Sequence, residues 1–392
     1  MLKKIAVVTA TRAEYGILKN VIDRIEKSEQ LKLCLMVTGT HLVSEYGMTV
    51  REIEEDGYPI AERIDVLMSS DSPSSVSKTM GLVMISFAEA FERQKPDCLV
   101  VLGDRYELLA VCSAAMNAGI PIAHISGGET TQGAIDESVR HCITKMSYLH
   151  FPACETYRQR IIQLGEEPDR VYNFGDVGVE ALRLVPEMTK QELEQSIGFA
   201  LDKPYMSVTF HPVTLEAHDA EKQMRELLDA LEEIKDMKFV FTKANADAGG
   251  RKLNEMMEAF AAKHDNCVVF ASLGIKRYIN LLRYSDGIVG NSSSGIVEAP
   301  SLGIPTVNIG NRQKGRLQAD SIINCKPDKA EIITAIGESQ TTLFKDKVKH
   351  TVNPYGDGNT SERIVQTITE YLYQDKISLE KKFYDVDFSI ER

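Results

Sequence analysis

No stretch of this chain approaches the roughly 18 consecutive apolar residues that a membrane-spanning helix requires, so no transmembrane segment is expected. At the N-terminus two lysines are followed by only Ile5 to Ala10 before Thr11-Arg12, a run too short for a secretory signal. Paired cysteines are also missing. The seven present (Cys34, Cys98, Cys112, Cys142, Cys154, Cys267 and Cys325) are odd in number, form no Cys-x-x-Cys pair and suit a reducing, cytoplasmic compartment. Several lie in apolar runs and read as small buried hydrophobes rather than catalytic thiols. Positive charge is in deficit: 45 lysines and arginines stand against 57 aspartates and glutamates, a formal charge of −12. Such a surface repels phosphate backbones and anionic lipid, so neither nucleic acid nor membrane is an expected partner. A small anion remains acceptable, because a few local arginines and helix N-termini can hold one phosphate group. No Gly-x-Gly-x-x-Gly, no Gly-x-Ser-x-Gly and no zinc-like His/Cys spacing occurs, so a dinucleotide site, an esterase elbow and a metal site lack support. Internal repeats and low-complexity tracts are absent too.

What is present is a globular composition, 43% hydrophobic and 26% charged over 392 residues, long enough for two domains and at most three. Short β-branched runs alternate with helical patterns. Strands are expected over 5–10, 31–38, 98–103, 122–126 and 148–151, with helices over 14–27, 74–94, 108–118 and 134–145 between them. A second series follows, with strands over 206–210, 239–242, 268–271, 287–289 and 306–309 and helices over 220–234, 250–263 and 275–283. This order predicts an α/β protein of two doubly wound parallel sheets. The boundaries expected are an N-terminal domain over 1–176, a charged hinge over 177–203, a C-terminal domain over 204–360, and a helix and charged tail over 361–392. The tail looks only loosely committed, although it can pack back on the N-terminal domain.

Chemistry-bearing residues collect where strands end. Arg12 follows the first strand, where it can meet an anion or simply sit solvated at a capped helix start. Asp104 and Arg105 end the apolar run Val100-Val101-Leu102-Gly103, as a helix cap or as an acid and base beside a phosphate. Gly127-Gly128 allows close backbone approach and puts Glu129 on a mobile tip. Asp136 and Glu137 open a helix, where negative charge is favourable even without a catalytic role. His211 ends Val208-Thr209-Phe210, as a structural histidine or as one that donates to a phosphate. Gly290-Asn291-Ser292-Ser293-Ser294-Gly295 turns a strand into a short helix through small hydroxyl residues, a setting that suits a diphosphate. Glu298 lies one turn into that helix, placed to accept ribose hydroxyls, and Arg312 belongs to a local basic cluster at 311–316.

Taken together, these segments resemble the hydrolysing UDP-N-acetylglucosamine 2-epimerases, from Ile5 to about Gly315. The resemblance rests on Thr11-Arg12-Ala13-Glu14-Tyr15, Gly103-Asp104-Arg105, Gly127-Gly128-Glu129, Ile135-Asp136-Glu137-Ser138-Val139-Arg140-His141, Phe210-His211-Pro212, Asn245-Ala246-Asp247 and Gly290-Asn291-Ser292-Ser293, all in the family's order. It implies two Rossmann-like domains facing across a cleft, the arrangement called GT-B. It also implies UDP on the C-terminal domain, with Ser292 and Ser293 on the diphosphate, Glu298 on the ribose, and Asn245, Leu273 and Arg312 completing the pocket. Arg12 and Arg105 would reach the ligand from the N-terminal domain, and His211 would contact phosphate. Asp104, Glu129 and one of Asp136 or Glu137 would carry protons. The implied reaction converts UDP-N-acetylglucosamine and water to N-acetylmannosamine and UDP through a glycal-like intermediate, with no cofactor, in a homodimer or homotetramer.

Other readings stay open. They are a hydrolysing epimerase for a UDP-diacetamido sugar or for GDP-N-acetylglucosamine, the non-hydrolysing branch, a GT-B glycosyltransferase, and a non-catalytic nucleotide-sugar binder. The Gly103-Asp104-Arg105 and 135–141 segments resemble the hydrolysing branch.

Overall fold

The structure is a computed structural model that describes residues 2–68, 72–131, 135–212, 219–244, 250–374 and 376–387. The chain divides into two compact units. The first comprises Met1–Glu129, Asp136–Ala181 and Tyr355–Arg392, and the second Thr130–Ile135 and Leu182–Pro354.

The first unit holds a six-stranded parallel sheet of β1 (Lys3–Thr9), β2 (Leu31–Thr38), β3 (Ile60–Ile64), β4 (Cys98–Leu102), β5 (Ile122–Ile125) and β6 (Leu149–Phe151), in the order β3-β2-β1-β4-β5-β6. Because successive side chains point to opposite faces, neighbouring residues of one strand feed two cores. Ile5, Val7, Val100 and Leu102 enter one core, while Ala6, Val8, Leu99 and Val101 enter the other. The first core is closed by Ile364, Val365, Ile368 and Leu372 of the helix Ser361–Tyr373. The second is closed by Val83, Phe87, Ala90 and Phe91 of the helix Pro73–Gln94. Burial on both faces explains why these strands read as continuous apolar runs rather than alternating ones.

The second unit repeats the plan with β7 (Tyr205–Thr209), β8 (Lys238–Thr242), β9 (Cys267–Phe270), β10 (Ile288–Gly290), β11 (Thr306–Ile309) and β12 (Ile322–Cys325), all parallel, in the order β12-β11-β10-β7-β8-β9. Both sheets reverse direction of growth once, between β1 and β4 and between β7 and β10. In open α/β sheets a ligand crevice opens at the carboxyl ends of the strands flanking that reversal.

Two edge strands, β3 and β12, are absent from the sequence reading. Ile60-Ala61-Glu62-Arg63-Ile64 carries a charged pair, and Ile322-Ile323-Asn324-Cys325 is short with one side chain exposed, so neither shows the apolar run of a central strand. The stretch 177–203 contains two helices, Val177–Leu184 and Lys190–Ile197, the latter closed by a Thr189/Glu192 capping box. The charged tail is better anchored than its composition suggests: Tyr148 Oη donates to the Lys376 carbonyl at 2.8 Å, and the Tyr384 N–H donates to the Gly165 carbonyl at 3.0 Å.

Candidate active site

In the first unit the strand-end residues converge at the reversal point. Thr11 and Glu14 form a capping box at the start of the helix Arg12–Glu26. The Glu14 carboxylate accepts the N–H groups of Ala10 at 2.7 Å and Thr11 at 3.2 Å, while the Thr11 hydroxyl accepts the Glu14 N–H at 3.3 Å. Burial pushes the Glu14 carboxyl up to about 7, with the Ala10 N–H and the Arg105 guanidinium pulling the other way. Arg12, the first residue of this helix, is half-buried and pairs with Glu52 at 2.9 and 2.8 Å. On the neighbouring strand end, Arg105 makes a fork of two 3.2 Å bonds to the fully buried Glu107.

Asp104 and Glu137 meet a residue that the sequence reading did not select. Arg140, 1% exposed, bonds Asp104 through Nη2, donates from Nη1 to the Glu129 carbonyl at 3.0 Å, and reaches Glu137 Oε2 at 3.4 Å. One guanidinium fork thus ties together the ends of β4 and β5 and the first turn of the helix Asp136–Met146. Asp136 is the first residue of that helix, and Glu137 also contacts His141 Nε2 at 3.2 Å. A charged residue in a polar helix ordinarily reads as solvated. The available signal was its spacing, since Val139, Arg140, Ile143 and Thr144 all fall on the buried face.

Glu129 does not sit on a mobile tip. It is 4% exposed, and the glycines before it are packed rather than loose. A Cβ on Gly127 would stand 2.9 Å from His124 Nδ1, and one on Gly128, at φ +77°, 2.4 Å from the Tyr157 carbonyl. His124 is itself held by the Gly103 carbonyl at 2.8 Å and the Thr144 hydroxyl at 3.3 Å, and its burial pushes the imidazole down to about 3.

In the second unit the reversal is flanked by His211 after β7 and Asn291-Ser292-Ser293 after β10. The Asn291 amide bonds both the N–H and the carbonyl of buried His211, at 2.7 and 2.8 Å. The Asn291 carbonyl in turn accepts from Arg312 at 3.0 Å and Gln313 at 2.7 Å. Gly290 has φ +133°, and a Cβ there would lie 2.0 Å from the Thr209 carbonyl, so only glycine lets β10 and β7 come this close. Ser292 and Ser293 are half-buried at the start of the helix Ser294–Val297. Glu298 sits at the junction between that helix and the next, Ala299–Leu302, rather than within one helix. Leu273 is buried before the helix Gly274–Tyr284. Asn245 lies outside the described residues. Among the described residues no three of histidine, cysteine, aspartate or glutamate converge as metal ligands would.

The first unit thus gathers carboxylates around a buried arginine, and the second sets hydroxyls and a histidine at a strand-to-helix turn. The profile of UDP-N-acetylglucosamine 2-epimerases matches residues 23–369. The chain belongs to that family. The GDP/UDP-N,N'-diacetylbacillosamine 2-epimerase (hydrolyzing) of Campylobacter jejuni is 39% identical over 98% of this chain and 99% of its own length. Polysialic acid biosynthesis protein P7 of Escherichia coli is 38% identical over 98% of both. Among solved structures, S. aureus MnaA with UDP superposes with a TM-score of 0.80 at 20% identity, covering 98% of this chain and all of that one. At that identity the likeness is one of fold, and it makes the two-sheet α/β architecture of this epimerase family member that of the GT-B epimerases. Among the described residues no helix is long and apolar enough to cross a membrane.

Proposed function

We propose that this family member is a hydrolysing 2-epimerase of a UDP-linked 2-acetamido sugar, with UDP-N-acetylglucosamine as substrate and N-acetylmannosamine and UDP as products. The observation that carries the reading is Arg140, which holds Asp104, Glu137 and the Glu129 main chain together in a buried setting. Carboxylates gathered in one place can divide the roles of base and acid. In the proposed reaction a carboxylate takes the C2 proton, the C2–H pair becomes the C1=C2 bond, and the C1–O bond to UDP breaks. Water then adds its oxygen to C1, while a proton returns to C2 from the opposite face. Asp104, Glu129 and one of Asp136 or Glu137 are the proposed proton carriers. Ser292, Ser293, His211 and Arg312 are the proposed diphosphate contacts, Glu298 takes the ribose, and Arg12, Arg105, Asn245 and Leu273 complete the set. The seven cysteines, none of them bonded, accord with a reducing cytoplasm.

A second reading keeps the reaction and changes the sugar. It is favoured by the 39% identity to an enzyme named for diacetylbacillosamine. Incubation with UDP-N-acetylglucosamine in D2O, followed by proton and phosphorus NMR, separates the two. UDP and C2-deuterated N-acetylmannosamine are expected; turnover of only the diacetamido or GDP-linked sugar selects the second reading, and a UDP-linked product selects the non-hydrolysing branch. Asp104→Asn and Glu129→Gln should each lower kcat at least about 100-fold with UDP affinity within a few-fold. Ser292→Ala with Ser293→Ala should weaken UDP binding instead.

The same proposal includes a homodimer, and the helix Pro73–Gln94 supports it. Lys78, Leu82, Ile85, Glu89 and Glu92 fall at helical spacing on its exposed face, with Leu82 45% and Ile85 63% exposed. Two copies crossing antiparallel about a twofold at Ile85 would set Lys78 of each against the partner's Glu92, with the isoleucines between. Light scattering should give a dimer, or a tetramer built from dimers, that Ile85→Glu dissociates. An unchanged mass in that variant would remove this surface from consideration.

A further inference from the structure

Far along the chain from the carboxylates, the tail inserts a lysine beneath the surface of the first unit. Glu166, just past the helix Glu155–Gln163, is fully buried and meets two ammonium groups and an imidazole: Lys145 Nζ at 2.6 Å, Lys381 Nζ at 2.8 Å and His150 Nε2 at 3.0 Å. Lys381 has two more ammonium protons, and both have partners. They go to the carbonyls of Lys145 at 2.8 Å and Ser147 at 2.6 Å. Those carbonyls belong to the C-terminal end of the helix Asp136–Met146, where acceptors lack intrahelical donors and positive charge is favoured. All three donors of the lysine are thereby used on a carboxylate and a helix end. The tail is fixed on either side of it. The Ser378 N–H donates to Tyr148 Oη at 3.3 Å, and the Phe383 ring lies against Gly165 with Lys145 Nζ 5.0 Å from its centroid.

The opposite end of this helix carries Asp136 and Glu137, with Arg140 one turn further in. A second connection leaves its side: Thr144 bonds His124, and His124 bonds the carbonyl of Gly103, the residue before Asp104. Whatever fixes the helix along its axis therefore fixes both the Arg140 fork and the turn that bears Asp104.

We infer that Lys381 is a positioning residue for the reaction: by capping the helix Asp136–Met146 and binding Glu166, the tail holds Glu137, Arg140 and Asp104 in their working geometry. This rests on the reading of those carboxylates as the proton carriers. Small displacements of reacting groups lower rate steeply, whereas nucleotide contacts on the second unit do not depend on this helix.

The test is Lys381→Met in the full chain. It removes the ammonium but leaves Glu166 paired with Lys145 and His150, so the fold should persist. Expected is a loss of kcat, and of C2 proton exchange into D2O, of at least about tenfold. KM and the Kd for UDP should stay within twofold, and Lys381→Arg should restore most of kcat. Phe383→Ala, which loosens the tail without touching a charge, should reproduce the pattern in a milder form and serves if Lys381→Met does not fold. Wild-type kcat in the variants would overturn the inference, as would a parallel loss of kcat, UDP affinity and melting temperature that arginine does not rescue. Failure of the functional reading looks different, because the unmodified protein would then epimerise none of the sugars tried.

Discussion

Asn291 holds His211 by both of the histidine's main-chain groups, accepting its N–H at 2.7 Å and donating to its carbonyl at 2.8 Å across the reversal point of the second sheet. The histidine thus depends on the side chain that follows the neighbouring strand β10. Asn291→Ala should leave two buried polar groups unsatisfied, at about 1–3 kcal/mol each. The expected outcome is a lower melting temperature and a UDP Kd at least about tenfold weaker by calorimetry. Asn291→Asp should fare little better, because a carboxylate accepts the N–H but repels the carbonyl. Wild-type UDP affinity in both would separate His211 from the nucleotide site.

Arg140→Lys tests whether the fork matters or only the charge. An ammonium cannot span two carboxylates and a carbonyl as a planar guanidinium does. We expect kcat to fall at least about 100-fold while the Kd for UDP is unchanged. Arg140→Met should be worse in a different way, losing about 3–5 kcal/mol of stability, because it leaves Asp104 and Glu137 without their buried cation. Denaturant unfolding beside steady-state kinetics distinguishes the two.

Two glycines should respond with opposite sign. Gly290→Ala drives a Cβ to 2.0 Å from the Thr209 carbonyl at φ +133°, so the protein should lose several kcal/mol or fail to accumulate. Gly337 lies exposed inside the helix Lys329–Ser339 with open space around it, and Gly337→Ala should gain about 0.5–1 kcal/mol. Urea midpoints for both variants check the pair.

Glu14 predicts a pH dependence. Its carboxyl is raised from 4.5 to about 7 by burial, so between those values the folded chain keeps a proton that the unfolded chain releases. Stability from this group is therefore lost as pH rises from about 4.5 through 7, to a total on the order of 3 kcal/mol. Glu14→Gln stays neutral and should unfold at higher urea than the wild type at pH 8 but not at pH 4. An equal difference at both pH values would sink the assignment.

Much of this was legible in the chain, for a physical reason. Central parallel strands are buried on both faces and end at turns, so Ile5–Ala10 and Val100–Leu102 announce themselves, and the residues after them mark the sheet edge where ligands bind. Edge strands such as β3 carry charges and hide. Arg140 hides among helical charges because its burial depends on which face packs, and Lys381 hides because its partner Glu166 is remote in sequence. Glu14 reads as an ordinary first-turn acid until the depth of the turn around it is known.

The first unit takes its core from both ends of the chain: Ile364, Val365, Ile368 and Leu372 pack with Ile5, Leu18 and Leu33. On the ribosome, the strands made earliest must wait for a helix made after the whole second unit. Until residues beyond Tyr355 emerge, one face of the first sheet is only partly covered, by the helix Arg12–Glu26, and its remaining apolar surface stays open to chaperones or to premature association. The unit translated first is the one finished last.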